Sequence, residues 1–301
     1  MVTTKQTILA QAERDYHPEI ASVDDEAVGV IAAQSASMAG AGSQLDYWFP
    51  LDQQWDLQQA ALYWTVFAAQ AFRFWRINAD GDKEKLHYAG VTGSNAMLAI
   101  IRDCWNTDAA SAINFDAARF QEAVAGLPAM SPRVVVANEL SADWARLRAI
   151  VGGFILKAQS QALSVSDAAE LAVAFPRAFE DPYFKKAQLA VSAISGLVKS
   201  KHPEAPHPVG LTAMADYQVP RVLRALKVLQ YSADLADKVS RHQLIDAGSE
   251  EENAIRAATV LAVEQISQRA NLSSEVIDNL LWSSQEVAGD ECFHLTETTC
   301  Y

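Results

Sequence analysis

Apolar residues recur at helical spacing through most of the chain. The clearest run sets apolar side chains at i, i+3, i+4, i+7 and i+10, namely Val219, Val222, Leu223, Leu226 and Leu229. This spacing lines one face of an amphipathic helix that begins near Tyr217. Comparable periodicity predicts helices near residues 6–16, 25–38, 55–73, 94–105, 115–125, 166–175, 182–199, 232–241 and 273–287. The pattern therefore predicts an all-α, or mostly α-helical, protein.

Two serines are placed as start signals for further helices. Ser249 stands three residues before Glu252, which is the spacing of a capping box, and the apolar series that follows starts at Ile255. Ser141 is placed to cap a helix that carries Trp144. Both signals predict a helix that begins directly after the serine.

A short stretch departs from the helical pattern. Residues 74–78 and 86–88 carry aromatic and branched side chains, and the Asp80-Gly81 pair between them is a hairpin signal. They predict a small β-ribbon over residues 74–88 that packs on helices. Residues 201–208 contain three prolines and are predicted to form a loop.

The length and the apolar content bound the domain organisation. With 301 residues, half of them apolar, the chain is able to bury a large core. We expect a single helical domain over residues 1–301. The alternative is an N-terminal lobe over residues 1–130 and a C-terminal lobe over residues 131–301, with the candidate catalytic chemistry in the second.

The charge balance excludes several classes of partner. Asp and Glu number 37 against 24 Lys and Arg, which gives a net charge of −13. Clustered cations supply most of the affinity for a phosphate backbone, so the sequence argues against duplex nucleic acid, long RNA and anionic membranes. The three cysteines show no C-x-x-C pair and no zinc-type spacing with histidine. We expect no metal, no cofactor, no membrane span and a cytoplasmic location.

Asp216 is the first candidate for chemistry. It lies between the apolar run from Leu211 and the mouth of the amphipathic helix, where sparse water strengthens the field of a carboxylate. An acid there is able to stabilise a cationic transition state. It also suits a helix N-cap, and the local sequence alone favours the capping role.

Aromatic residues form the second candidate feature. Tyr63 and Trp64 precede the segment Phe72-Arg-Phe-Trp75, and Trp282 stands on a late helix. Planar side chains near a carboxylate suit a heteroaromatic base held by stacking. Their helical spacing favours an ordinary core role.

The chain resembles the queuosine salvage family, the queuosine 5′-phosphate N-glycosylases, in segments that follow one another in order. Phe72-Arg-Phe-Trp75 is similar to the family's Asn-Phe-x-Phe-Trp, and residues 183–189 are similar to its Lys-Arg-Ala-Gln segment. The densest similarity spans residues 211–264, and it continues through residues 278–282 and 294–301. The resemblance implies an all-α fold like that of helix-hairpin-helix DNA glycosylases.

The resemblance also implies an activity, which is hydrolysis of the ribosidic bond of queuosine 5′-phosphate or of a related 7-deazapurine nucleotide or nucleoside. Asp216 matches the catalytic aspartate, an assignment that replaces the capping role. The candidates for packing against the base or the sugar are Phe72, Phe74, Trp75, Tyr217 and Trp282. Lys185, Arg256 and His294 are candidates to bind the phosphate or to support the residues that bind substrate, and Asp278 is a further candidate for substrate binding. Asp278 and Glu264 match family positions that contact the base or the scaffold, and Arg256 is equally suited to pair with Glu252 one helical turn earlier.

Five positions depart from the family pattern. They are Ala68, Ala71, Gln218, Leu295 and Glu297, where the family has two residues with polar base contacts, an arginine after Asp-Tyr, and two arginines in His-Arg-Thr-Arg-Thr. These departures leave the base and the need for the 5′-phosphate open. The expected partner is a small nucleotide or nucleoside, and the sequence does not define the oligomer.

Two other functions compete with the glycosidase. A non-catalytic binding module for a 7-deazapurine nucleoside retains the pocket without turnover, and a purely structural helical protein has neither property. Release of free base from a nucleotide, lost on replacing Asp216, separates the enzyme from both alternatives.

Overall fold

Helices dominate the chain, and the predicted mostly α-helical class is confirmed. The computed structural model describes residues 3–40, 55–78, 80, 83–106 and 114–301. The helices are α1 (Lys5–Asp15), α2 (Asp25–Gly40), α3 (Leu57–Ala69), α4 (Ser94–Asp103), α5 (Ala117–Ala123), α6 (Met130–Ala142), α7 (Trp144–Ala158), α8 (Val165–Ala174), α9 (Pro176–Phe179), α10 (Lys185–Lys201), α11 (Gln218–Ala225), α12 (Ala233–Ser240), α13 (Glu250–Ala270) and α14 (Ser274–Ser283), with a 3-10 helix at Gln285–Ala288. The strands are β1 (Ala21–Val23), β2 (Trp75–Ile77), β3 (Lys83–Lys85), β4 (His87–Tyr88), β5 (Val91–Thr92) and β6 (Leu229–Tyr231).

The chain divides into two compact units. Unit 1 comprises residues 1–45, 209–299 and Tyr301, and unit 2 comprises residues 46–208 and Cys300. Two compact units do not have to fold independently. Whether the chain forms a single domain over residues 1–301 or two lobes therefore stays a prediction. The helix-hairpin-helix likeness also stays a prediction.

Helix α13 forms the centre of unit 1. It packs against α1, α2, α11 and α14 and against the antiparallel pair of β1 and β6. Ser249 caps it as predicted, because its hydroxyl accepts from the backbone N–H of Glu252 at 3.3 Å. The Glu252 carboxylate binds the N–H of Gly248 at 2.7 Å instead of completing the box with Ser249.

Glu264, on α13, contacts side chains of both α1 and α14. Its Oε2 lies 2.7 Å from Nζ of Lys5, on α1, and accepts from the hydroxyl of Ser274 at 2.7 Å. Burial opposes ionisation of Glu264, but the hydrogen bonds from Lys5 and Ser274 outweigh it and lower the pKa of the carboxyl group. These contacts favour the scaffold role for Glu264 over contact with a base.

Unit 2 is organised around α10, which packs against α3, α7 and α8. The contact face of α10 is rich in small and branched residues, and α3 is buried along nearly its whole length. A helix that is apolar all round belongs in a protein interior. The site residues of unit 2 lie at the C-terminal end of α3.

The helix predicted over residues 217–229 is shorter than its periodicity suggests. Helix α11 ends at Ala225, and Lys227 adopts a positive φ of 60° that reverses the chain. Leu229 then begins β6, so its place in the apolar series reflects a buried strand. The helical interpretation was wrong for Leu229, whereas Leu226 is the C-cap of α11 and its N–H donates to the carbonyl of Val222 at 3.0 Å.

Two further details of the sequence prediction are corrected. Ser141 lies within α6, and Asp143 is the residue that precedes α7, so Ser141 is not the cap of the helix carrying Trp144. The ribbon exists, but β2 pairs with β3, with Trp75 opposite Lys85, whereas His87–Tyr88 pairs with Val91–Thr92. Gly81 of the hairpin signal lies outside the described residues.

The predicted proline loop is confirmed, since α10 ends at Lys201 and residues 202–208 are irregular. Within the described part of the chain, every helix is too short or too polar to traverse a lipid bilayer.

Candidate active site

Residues 211–217 form a buried segment without regular structure that leads into α11. We refer to it as the Asp216 segment. Each of its residues is at most 7% exposed, and Asp216 itself is 7% exposed. A buried stretch without a helical or strand ladder must satisfy its backbone polar groups through side chains. The Asp216 segment does so with charged residues.

The Asp216 carboxylate caps α11 with one oxygen. Oδ1 accepts from the backbone N–H of Gln218 at 2.7 Å and of Val219 at 3.0 Å. The hydrogen bonds that the described residues make to this carboxylate reach Oδ1 and not Oδ2. The capping role expected from local sequence is therefore present, and it orients the acid without occupying both oxygens.

Two buried charged side chains hold the peptide groups that precede Asp216. Asp278, on α14 and 3% exposed, accepts from the N–H of Met214 at 2.9 Å through Oδ1. Arg256, on α13 and 2% exposed, donates from Nε to the carbonyl of Ala215 at 3.3 Å. Both residues were predicted to contact substrate, and the structure places them against the backbone of the Asp216 segment.

Arg256 is itself held from two sides. Its Nη1 lies 3.9 Å from Oε1 of Glu252, which confirms the ion pair along the helix. Its guanidinium lies over the ring of Tyr301, 4.7 Å from the centroid, and the Tyr301 hydroxyl lies 3.1 Å from Nε2 of His294. Sequence reasoning did not single out Tyr301 as a site residue.

His294 is buried and neutral. It is 1% exposed, and burial, followed by the positive charges of Arg256 and Arg224, lowers the pKa of His294 to about 3. A neutral imidazole bonded to Tyr301 is poorly suited to neutralise a phosphate. The contacts favour a role for His294 in fixing Tyr301.

The buried imidazole predicts acid-sensitive folding. Between the unfolded pKa of 6.5 and the folded value, the unfolded chain binds a proton that the folded chain does not, so stability falls as the pH falls. From pH 7 to pH 5 we expect the His294 contribution to lower the free energy of unfolding by about 2 kcal/mol. Urea titrations at the two pH values measure it.

The matched comparison for this prediction uses a surface histidine. His294→Gln should flatten the pH dependence of unfolding, whereas His202→Gln, at an exposed position, should leave the slope as in the wild type. Equal slopes in the wild type and in His294→Gln would show that the imidazole is not the acid-sensitive group.

Aromatic rings adjoin the acid in unit 1. The rings of Tyr217 and Phe293 lie 4.7 Å apart, and Arg221 binds the carbonyls of Glu291 and Gly289 in the chain that leads to Phe293. Trp282 is half-buried on α14, one turn after Asp278 and on the same face. Of the predicted site residues in this unit, Trp282 keeps the largest accessible surface.

In unit 2 the predicted aromatic residues differ in burial. Phe72 and Trp75 are each 1% exposed, and the ring of Phe72 has the Arg133 guanidinium at 4.5 Å and the Lys186 amine at 4.9 Å from its centroid. These contacts favour a core role for Phe72 and Trp75 over base stacking. Phe74 is half-buried and stacks on Phe67, 6.5 Å between centroids.

Lys185 is also committed to the interior of unit 2. Its Nζ donates to the carbonyl of Ala71 at 2.9 Å, and its backbone N–H donates to Asp181. Lys186 donates to the carbonyl of Ala69 at 3.3 Å, and burial lowers the pKa of Lys186 to about 7. Cations at the C-terminal end of α3 are stabilised by the helix dipole.

The departures from the family pattern lie in different environments. Ala68 and Ala71 are buried beside the C-terminal end of α3, and Leu295 is fully buried. Gln218 opens α11 and donates its N–H to Asp216, and Glu297 is exposed. Leu295 therefore belongs to the core of unit 1.

The structure brings together five of the predicted site residues around the Asp216 segment, and Trp282 lies on the same helix as one of them. The five are Asp216, Tyr217, Arg256, Asp278 and His294. Phe72, Phe74, Trp75 and Lys185 belong to unit 2, and their joint action with Asp216 stays a prediction.

Comparison with known proteins finds a family match over the part of the chain that contains the five residues around the Asp216 segment. Residues 180–301 match the queuosine salvage protein family. The queuosine salvage match includes the whole Asp216 segment, Arg256 and Asp278, which bind its backbone, and Lys185. Phe72, Phe74 and Trp75 lie outside it.

Several relatives share this similarity. The queuosine 5′-phosphate N-glycosylase/hydrolase of Sphaerobacter thermophilus is 39% identical over 127 residues, which are 40% of this chain and 39% of that protein. The protein of the same name from Dictyostelium discoideum is 39% identical over 98 residues, 30% of each chain, and that of Schizosaccharomyces pombe is 35% identical over 75 residues, 24% of this chain and 22% of that protein. The chain thus spans about two fifths or less of the length of these relatives.

The side chains of the site decide whether it is able to bind a metal ion. Among the described residues no group of three or more His, Cys, Asp or Glu side chains is arranged to bind a metal ion. The buried ionisable groups around Asp216 are instead paired with backbone or with one another. The arrangement is suited to hold one carboxylate in a fixed orientation in a water-poor environment.

Proposed function

We propose that this protein is an N-glycosidase that hydrolyses the ribosidic bond of queuosine 5′-phosphate, or of a related 7-deazapurine nucleotide or nucleoside, and releases the free base for salvage. The observation that carries the proposal is the buried Asp216, with one carboxylate oxygen fixed by the start of α11 and the other without a hydrogen bond from the described residues. It lies in the part of the chain that matches the queuosine salvage proteins.

The chemistry follows from the charge that develops on the sugar. As the C1′–N bond breaks, its electron pair leaves with the base and C1′ gains oxocarbenium character. The Asp216 carboxylate against that face stabilises the positive charge and accepts a proton from the attacking water. The departing base takes up a proton, and the sugar keeps the water oxygen.

The leaving group constrains how the base is held. A 7-deazapurine lacks the N7 position at which an ordinary purine is protonated, so help for the leaving group must come from other edges of the base. Trp282 and Tyr217 are the candidates in unit 1 for packing against the base or the sugar. The net charge of −13 favours a mononucleotide over duplex nucleic acid as the partner.

A substrate panel tests the proposal. Purified protein is incubated separately with queuosine 5′-phosphate, queuosine, GMP and guanosine, and the free base is measured by mass spectrometry. We expect base release from one or both queuosine compounds and none from the guanine compounds. The rate ratio of the two queuosine compounds measures the contribution of the 5′-phosphate at a site that lacks the family's terminal arginines.

The same panel gives the contradicting result. Tight binding of free 7-deazapurine base without release from any substrate would establish the non-catalytic binding module instead. If the protein neither releases nor binds the base, then it has no nucleoside site.

A further inference from the structure

The backbone before Asp216 is fixed by side chains and not by a ladder of backbone bonds. Two successive residues, Met214 and Ala215, have a peptide N–H and a peptide C=O bound by Asp278 and Arg256 respectively. The two charged residues come from different helices, α14 and α13. Their bonds therefore fix the Asp216 segment relative to both helices.

The residues around Arg256 restrict the orientation of its guanidinium. Its guanidinium is confined between the Glu252 carboxylate on the same helix and the ring of Tyr301, whose hydroxyl is bonded to His294. A planar group clamped on two sides loses little freedom when its Nε donates to a carbonyl. The contact of Arg256 with Ala215 is thus pre-organised, and every member of the set is buried.

We propose that Arg256 and Asp278 are positioning residues that act through the backbone of Met214 and Ala215 to set the place of the Asp216 carboxylate. The inference rests on the proposed function, because the acid that they position is the one assigned to the reaction. Of the roles expected from the sequence, it favours the supporting role of Arg256 over phosphate binding and the scaffold role of Asp278 over contact with the base. Displacement of a reacting group by about 1 Å costs up to about 10²-fold in rate, so loss of either anchor should slow catalysis.

Arg256→Lys is the first test, since it keeps the charge and removes the Nε donor. We expect kcat to fall by about 10- to 100-fold, with KM changed less than about twofold. Arg269→Lys is the matched control on the same helix, because Arg269 also donates to a carbonyl, that of Asp25, and pairs with a carboxylate. The control should retain wild-type kcat.

A double variant separates positioning from general damage. If Arg256 acts through Asp216, then Arg256→Lys should cause no further loss of rate in an Asp216→Asn background. Losses that multiply in the double variant, or a rise in KM with unchanged kcat, would overturn the proposal. The second outcome would return Arg256 to the role of a phosphate ligand.

Amide hydrogen exchange tests the same proposal without reference to turnover. Arg256→Lys and Asp278→Leu should each accelerate exchange at the N–H groups of Gln218 and Val219, which the Asp216 carboxylate protects. Arg269→Lys should not. Unchanged exchange in both anchor variants would contradict the positioning role, whereas inactivity of the wild-type protein would contradict only the glycosidase.

Discussion

Asp216→Asn is expected to abolish base release almost entirely while leaving the fold intact. Asparagine keeps the side-chain oxygen that caps α11, so the bonds from Gln218 and Val219 survive. What is lost is the negative charge against the developing cation. We expect kcat to fall by about 10³-fold or more, equivalent to about 4 kcal/mol of transition-state stabilisation, with substrate affinity changed little.

The control for this variant is a second capping aspartate. Asp116 accepts from the N–H of Arg119 at 3.0 Å at the start of α5, and Asp116→Asn makes the same chemical change there. It should leave kcat unaltered. Retention of more than a tenth of the wild-type kcat by Asp216→Asn would assign the chemistry to another group.

Arg133→Met is expected to produce the largest loss of stability. Arg133 is fully buried and donates to the backbone carbonyls of Gln70, Phe72, Arg73 and Pro128 at 2.7 to 3.0 Å. Methionine fills a similar volume and leaves these carbonyls without that donor. Because an unsatisfied buried polar group costs about 1–3 kcal/mol, we expect the free energy of unfolding to fall by about 4 kcal/mol or more.

Chemical denaturation measures this loss, and a surface arginine provides the comparison. Arg76 pairs with Glu84 and donates to the carbonyl of Gly126, but its side chain is 44% exposed. Arg76→Met should change stability by less than about 1 kcal/mol. Similar effects of the two substitutions would mean that the Arg133 contacts contribute no more than surface ones.

The sequence predicted those features that depend on local chemistry. Helix α13 was placed correctly because Ser249 caps it and its apolar residues repeat along a long helix. Asp216 was singled out for the same reason, since an acid before an amphipathic run is visible in a few residues. The oxygen that caps α11 and the oxygen that we propose faces the sugar belong to the same carboxylate.

Features that depend on distant parts of the chain were missed. The pairing of β1 with β6 joins three-residue strands that are far apart in the sequence, such as Ala21 with Tyr231, and so short a strand has no periodicity of its own. Helix α6 was missed because its run of valines after Pro132 lacks a helical apolar stripe. Its Arg133 carries no local sign that three of its four carbonyl partners come from residues 70–73.

The roles of the site residues show the same limit. Sequence similarity marked Arg256, Asp278 and His294 as substrate contacts, and the structure places each of them against protein groups. Sequence similarity marks residues that position a reacting group and residues that touch the substrate in the same way, so it does not distinguish the two roles. Tyr301 lies in the similar segment over residues 294–301 but was not named as a site residue, because a single aromatic residue has no spacing that assigns it to a site.

The decisive measurement is a pair of single-turnover reactions with wild-type protein in excess, one over queuosine 5′-phosphate and one over queuosine, quenched over time and analysed by mass spectrometry. We expect at least one of the two compounds to be consumed, with free base and the matching sugar, ribose 5-phosphate or ribose, formed together in equal amounts. Recovery of both compounds intact from folded protein would contradict the proposed reaction.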